Sequence, residues 1–126
     1  MTSAIKTTSG IKTVIYPVKD LARAKALYGV VLGVEPYMDE AYYVGFSVQG
    51  QDIGLDPHGH DKGMTGPLPY WHVDDIGLSL TALLADGAVE QQAVQDVGGG
   101  KLVASVTDSD GNVIGLIQQP AGDASW

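Results

Sequence analysis

One plan is written twice along this chain of 126 residues, and that repetition constrains the fold more than any other feature. Residues 13–33 read TVIYPVKDLARAKALYGVVLG and residues 68–88 read LPYWHVDDIGLSLTALLADGA. Each opens as a strand, turns at Lys19-Asp20 or Asp74-Asp75, and continues with the apolar spacing of a helix. The first helix is expected to turn Leu21, Ala24, Leu27, Tyr28 and Val31 inward; the second, Ile76, Leu80, Leu83 and Leu84. Asp20 and Asp75 stand where an N-cap carboxylate belongs, and Gly33 and Gly87 where each helix should stop.

After each helix the period changes from 3.6 to 2. Tyr42, Val44, Phe46 and Val48 alternate with Tyr43, Gly45, Ser47 and Gln49, and a QGQ turn leads into residues 52–56. Leu102, Ala104 and Val106 alternate with Val103, Ser105 and Thr107, and the DSDGN turn leads into residues 113–117. The order is therefore strand, helix, three strands, twice. Module one covers about residues 11–56, a Gly-rich polar linker residues 57–66, and module two about residues 67–119, all in one domain. Residues 1–10 and 120–126, Trp126 included, read as tails. The two last strands share Ile-Gly-Leu at 53–55 and 114–116; the same letters at 76–78 open a helix and are coincidence. Glycine inside a strand marks a bulge or a close approach.

The chain has no cysteine, which excludes a thiol nucleophile, a thiolate metal site and a disulfide framework. Its net charge is −8. Lys6, Lys12, Lys19, Arg23 and Lys25 crowd the first 25 residues, and beyond them only Lys62 and Lys101 oppose 14 acidic residues. Such a body repels phosphate backbones, so nucleic acid is not an expected partner, whereas a cationic small molecule is. No apolar run approaches a membrane span and the first ten residues lack a signal-peptide core, so a cytoplasmic protein with no membrane partner is expected.

VKDLARAKALYGVVLGVEP, YWHVDDI, the Gly-Ala after the second helix and DSDGNVIGLIQQP together resemble the vicinal oxygen chelate superfamily, the glyoxalase/bleomycin-resistance proteins. The last segment is similar to that family's D-P-D-G-N signature, with Ser109 in place of proline. The resemblance implies an α+β fold, two tandem βαβββ modules forming curved mixed sheets around a groove, and a homodimer. In the family's metal enzymes four side chains in the groove hold a divalent ion. The matching positions here are Thr13, Leu68, Gly54 and Gly115, none of which makes a good ligand, so neither metal nor other cofactor is expected. On this reading the two glycines leave room in the groove floor for a ligand to come close.

Strand alternation then assigns the groove lining. Ile15 follows Thr13, Tyr70 and His72 follow Leu68, Asp52 and Asp56 flank Gly54, and Tyr43 and Ser47 come from the third strand of module one. Trp71 and Val73 turn to the core. Tyr43 and Tyr70 suit stacking on a planar or cationic ligand. His72 is the one catalytic candidate, as an acid or base near neutral pH, against a plain hydrogen-bonded strand histidine. Asp56, His58 and His60 form D-x-H-x-H, a weak metal pattern in a flexible linker. The leading expectation is a metal-free protein that sequesters an aromatic or cationic small molecule, as in the antibiotic-resistance branch of the family. Its rivals are a glyoxalase-type lyase, isomerase or dioxygenase, dependent on a metal or on His72 with Tyr70 or Asp56, and a partner protein with no small ligand.

Overall fold

The computed structural model describes residues 8–120, which form two compact units: residues 12–69, and residues 70–120 together with 8–11. The architecture is α+β, two helices with eight strands, and the βαβββ order occurs twice. Module one comprises β1 (Thr8–Pro17), α1 (Leu21–Leu32), β2 (Met38–Glu40), β3 (Tyr43–Val48) and β4 (Gln51–Asp56). Module two comprises β5 (Leu68–Val73), α2 (Ile76–Ala85), β6 (Val89–Asp96), β7 (Leu102–Thr107) and β8 (Val113–Gln118). Among the described residues no helix is long and apolar enough to cross a membrane.

Within each module the first and last strands are parallel neighbours and the rest of the pairing is antiparallel. In module one the order is β2-β3-β4-β1, with Thr13 opposite Asp52 and Ile15 opposite Gly54. In module two it is β5-β8-β7-β6, with Tyr70 opposite Gly115. A parallel pair needs a crossover, and the helix supplies it in both cases. Asp20 Oδ1 accepts the Arg23 N–H at 3.0 Å and Asp75 Oδ1 the Leu78 N–H at 3.0 Å, so both helices start at the expected caps. The β3–β4 hairpin turns through Gln49 and Gly50, both at positive φ, the two-residue geometry that matches strand twist.

Of the apolar sets predicted from period 2, Val44 and Phe46 and, in module two, Leu102, Ala104 and Val106 face the helices, whereas Tyr42 lies outside β3 and is exposed. Val44, Phe46 and Leu55 form module one's buried core with Tyr16, Leu21, Ala24 and Tyr28 packed around them; Val73, Ile76, Leu80, Ala104, Val106 and Leu116 form module two's. Burial of each such side chain contributes about 2 kcal/mol. The helix faces differ from expectation. Leu27 and Val31 of α1 and Leu84 of α2 are exposed, and α1 inserts Leu32 instead. Both helices are apolar almost all round, so periodicity alone cannot say which stripe turns inward. Trp71 is also exposed rather than buried.

Two strands were counted but not located by the sequence pattern. β2 has three residues, and β6 is exposed throughout and carries two register shifts, which erase its alternation. The expected first tail is partly strand: Thr8 Oγ1 donates to the His72 carbonyl at 2.7 Å and accepts from the Gly10 N–H at 2.9 Å, which holds residues 8–10 in β1. The rest of that tail, and the far tail with Trp126, lie outside the described residues. The linker contains a short 3₁₀ turn, His60–Lys62.

Candidate functional site

The face of module one that turns away from α1 carries Thr13, Ile15, Asp52, Gly54, Tyr43 and Ser47, as alternation requires. Gly45 lies opposite Gly54 across β3 and β4, and Ser47 opposite Asp52. Two facing glycines leave bare backbone, and two tyrosine rings cover it. A Cβ built on Gly54 would stand 1.8 Å from Tyr43 Oη and 2.5 Å from its Cζ. A Cβ on Gly45 would stand 2.9 Å from Tyr37 Cζ and Oη. The expectation that Gly54 opens room in the floor is therefore corrected: the glycine is bare because the Tyr43 phenol, leaning diagonally from β3, takes the space. Aromatic cover of strand glycines is a recognised packing device.

Tyr37 was not among the residues singled out from sequence. Its hydroxyl donates to Asp52 Oδ1 at 2.8 Å, while its ring remains 56% exposed. Burial raises the Tyr37 phenol well above the ordinary value, and the Asp52 charge and the hydrogen bond to Asp52 raise it further. The group thus stays a neutral donor across the physiological range. The signal that would have found it is Gly45 itself, on the same alternation as Tyr43 and requiring cover.

Asp56 has a different task. It is 7% exposed; Oδ1 accepts the His58 N–H at 2.8 Å and Oδ2 pairs with Lys62 Nζ at 2.9 Å. That closes the turn after β4, in which Gly59 lies against Pro17. His58 and His60 are exposed, and the carboxylate near the His58 ring is that of Asp61, with Nδ1 at 3.9 Å from Oδ2. Among the described residues no three His, Cys, Asp or Glu side chains stand where they could hold a metal ion.

On module two, Tyr70, His72, Gly115 and Ile117 lie on the face away from α2 and are buried; His72 is 2% exposed. Gly115 sits between Tyr70 of β5 and Ser105 of β7. Ser105, also missed from sequence, is buried and donates to Gln91 Oε1 at 2.8 Å. Leu68 opens β5 partly exposed, and Thr13 in β1 is 2% exposed.

No protein-family model matches the chain, and no curated protein matches it. Solved structures do. Methylmalonyl-CoA epimerase from Mycobacterium tuberculosis matches with a TM-score of 0.69 at 17% identity, over 94% of this chain and 93% of that one. A glyoxalase/bleomycin resistance protein/dioxygenase superfamily member from Vibrio splendidus matches with a TM-score of 0.63 at 18% identity, over 84% and 95%. This chain has the vicinal oxygen chelate fold. A Mn(II)-bound glyoxalase from Novosphingobium aromaticivorans shares that fold with a TM-score of 0.67 at 21% identity, over 90% of this chain and 40% of the glyoxalase. These likenesses are of fold.

The metal that accompanies the fold in its enzymes does not fit the residues here. Gly54 and Gly115 supply no side-chain donor, Leu68 is aliphatic, and Tyr43 closes the space from which a carboxylate at position 54 would project. Thr13 alone leaves a divalent ion short of the four or more ligands it needs.

Proposed function

We propose that the chain is a metal-free small-molecule-binding protein of the glyoxalase/bleomycin-resistance type, which sequesters an aromatic or cationic ligand. One observation carries the reading: the exposed Tyr37 ring is tied through its hydroxyl to the Asp52 carboxylate, on the face where Tyr43 fills the Gly54 slot. A π-face next to a carboxylate attracts a cation by quadrupole and charge together. Sequestration asks only for shape, stacking and charge, so it needs neither a metal nor a reacting side chain. We extend the proposal to an antibiotic-resistance role in the cytoplasm.

Phenyltrimethylammonium against benzoate, followed by thermal melting, tests this. The cation at about 100 times its dissociation constant should stabilise the fold by about 2.7 kcal/mol, and Tyr37→Ala or Asp52→Asn should abolish the shift. Equal shifts from cation and anion, or none from any cationic aromatic compound, would overturn it. Turnover of a carbonyl substrate that is lost in His72→Ala would favour an enzyme instead.

A further inference from the structure

Glu40 ends β2 exposed to solvent, and among the described residues it makes no ion pair. Two observations fix the face it occupies. Residues directly opposite in an antiparallel ladder point to the same side of the sheet. Glu40 stands opposite Tyr43, and Met38 opposite Gly45. Asp39, between them, points the other way and pairs with Lys25 of α1. Glu40 and Met38 therefore share the face away from α1 with Tyr37, Tyr43 and Asp52.

That face is anionic at two opposite corners and apolar between them. Glu40 lies beside Tyr43 at the start of β3, and Asp52 beside Ser47 near its end. Four residues along β3 and two strand spacings across the sheet put their Cα atoms about 16 Å apart. The space between them holds Met38 and the Tyr37 ring, which covers Gly45 and reaches Asp52 with its hydroxyl. A single cation cannot serve both corners, because an ion pair needs its partners within about 4 Å. Nor do the chain's nearby lysines fill either corner. Lys25 is engaged on the opposite face, and Lys62 pairs with Asp56, the third carboxylate of this alternation.

We propose that the ligand of this face is a linear dication, two ammonium groups joined by an apolar spacer. One group sits against the Tyr37 ring beside Asp52, the spacer runs over Tyr37 and Met38, and the second group pairs with Glu40. A polymethylene spacer suits an aromatic ring and a thioether, both of which attract it by dispersion. Joining two weak contacts in one molecule makes the second of them intramolecular. The inference rests on the ligand reading above and adds a length and a second charge, with Glu40 setting the preferred spacing.

Isothermal titration calorimetry with decamethonium, hexamethonium and phenyltrimethylammonium tests it. Wild type should bind decamethonium, whose charges are further apart, about fivefold more tightly than hexamethonium, the effect of one exposed ion pair. Glu40→Gln should bind the two dications equally and phenyltrimethylammonium as wild type does. Asp39→Asn removes the same charge from the opposite face and should keep the preference for decamethonium. Equal binding of the two dications by wild type, a preference that survives Glu40→Gln, or one that Asp39→Asn also removes would overturn the dication while leaving the Tyr37–Asp52 site standing. Failure of all three cations to bind would overturn both.

Discussion

Module one and module two repeat one βαβββ plan and place a glycine at the same point of the last strand, yet the two glycines have different surroundings. In module one Gly54 faces a second glycine, Gly45, and two tyrosine rings lie over the pair. In module two Gly115 faces Ser105, whose hydroxyl is tied to Gln91. A shared topology thus fixes where a side chain is missing, while the neighbouring strands decide what takes its place. In module one the replacement is aromatic, half-exposed and linked to a carboxylate. In module two the cross-strand neighbours are both buried, Ser105 on one side and Tyr70 on the other.

The comparison breaks most visibly at position 54. Gly54→Glu should cost about 3 kcal/mol, the upper end of overpacking penalties, because Tyr43 must leave the sheet face. Tyr43→Ala in the same chain should recover part of that loss, a coupling that a thermal-melt double-mutant cycle measures. A Gly54→Glu protein that melts like wild type would mean the ring does not hold that space. Ser105→Ala in module two should cost about 1 kcal/mol, the worth of one hydrogen bond. Gln91→Ala should add little on top of it; full additivity would show that the two side chains do not depend on each other.

The smallest effects separate the modules by pH. Tyr37, raised by burial and by Asp52, contributes stability that is fully present below the unfolded phenol value and is lost as pH rises through the folded one. Asp108 is lowered first by the Asn112 side chain and then by backbone N–H groups. Its contribution is present above the unfolded carboxyl value and is lost as pH falls through the folded one. Denaturant titrations should therefore show an alkaline slope that Tyr37→Phe removes and a slight acid slope that Asp108→Asn reduces. Identical alkaline profiles for wild type and Tyr37→Phe would contradict the Tyr37–Asp52 bond.

Much of this fold was legible because capping and alternation act locally. Asp20 and Asp75 cap as their positions foretold, and Val44, Phe46, Ala104 and Val106 turn toward the helices as period 2 demands. What escaped the sequence depends on register between strands. That Gly45 meets Gly54, so that Tyr37 and Tyr43 must cover them, follows only once β3 and β4 are paired. The outward turn of Leu27 and Val31 escaped for another reason: with only Arg23 and Lys25 to mark a polar side, α1 offers periodicity little contrast. β6 was hidden by its bulges.

The account rests on the Tyr43 ring standing where a metal-binding carboxylate would begin. Metal analysis of the purified chain, followed by titration with Mn²⁺ and Zn²⁺, tests that most directly. The expected result is no retained ion and no saturable binding of either cation. One tightly held equivalent, removed by a chelator and weakened by Thr13→Ala, would contradict it.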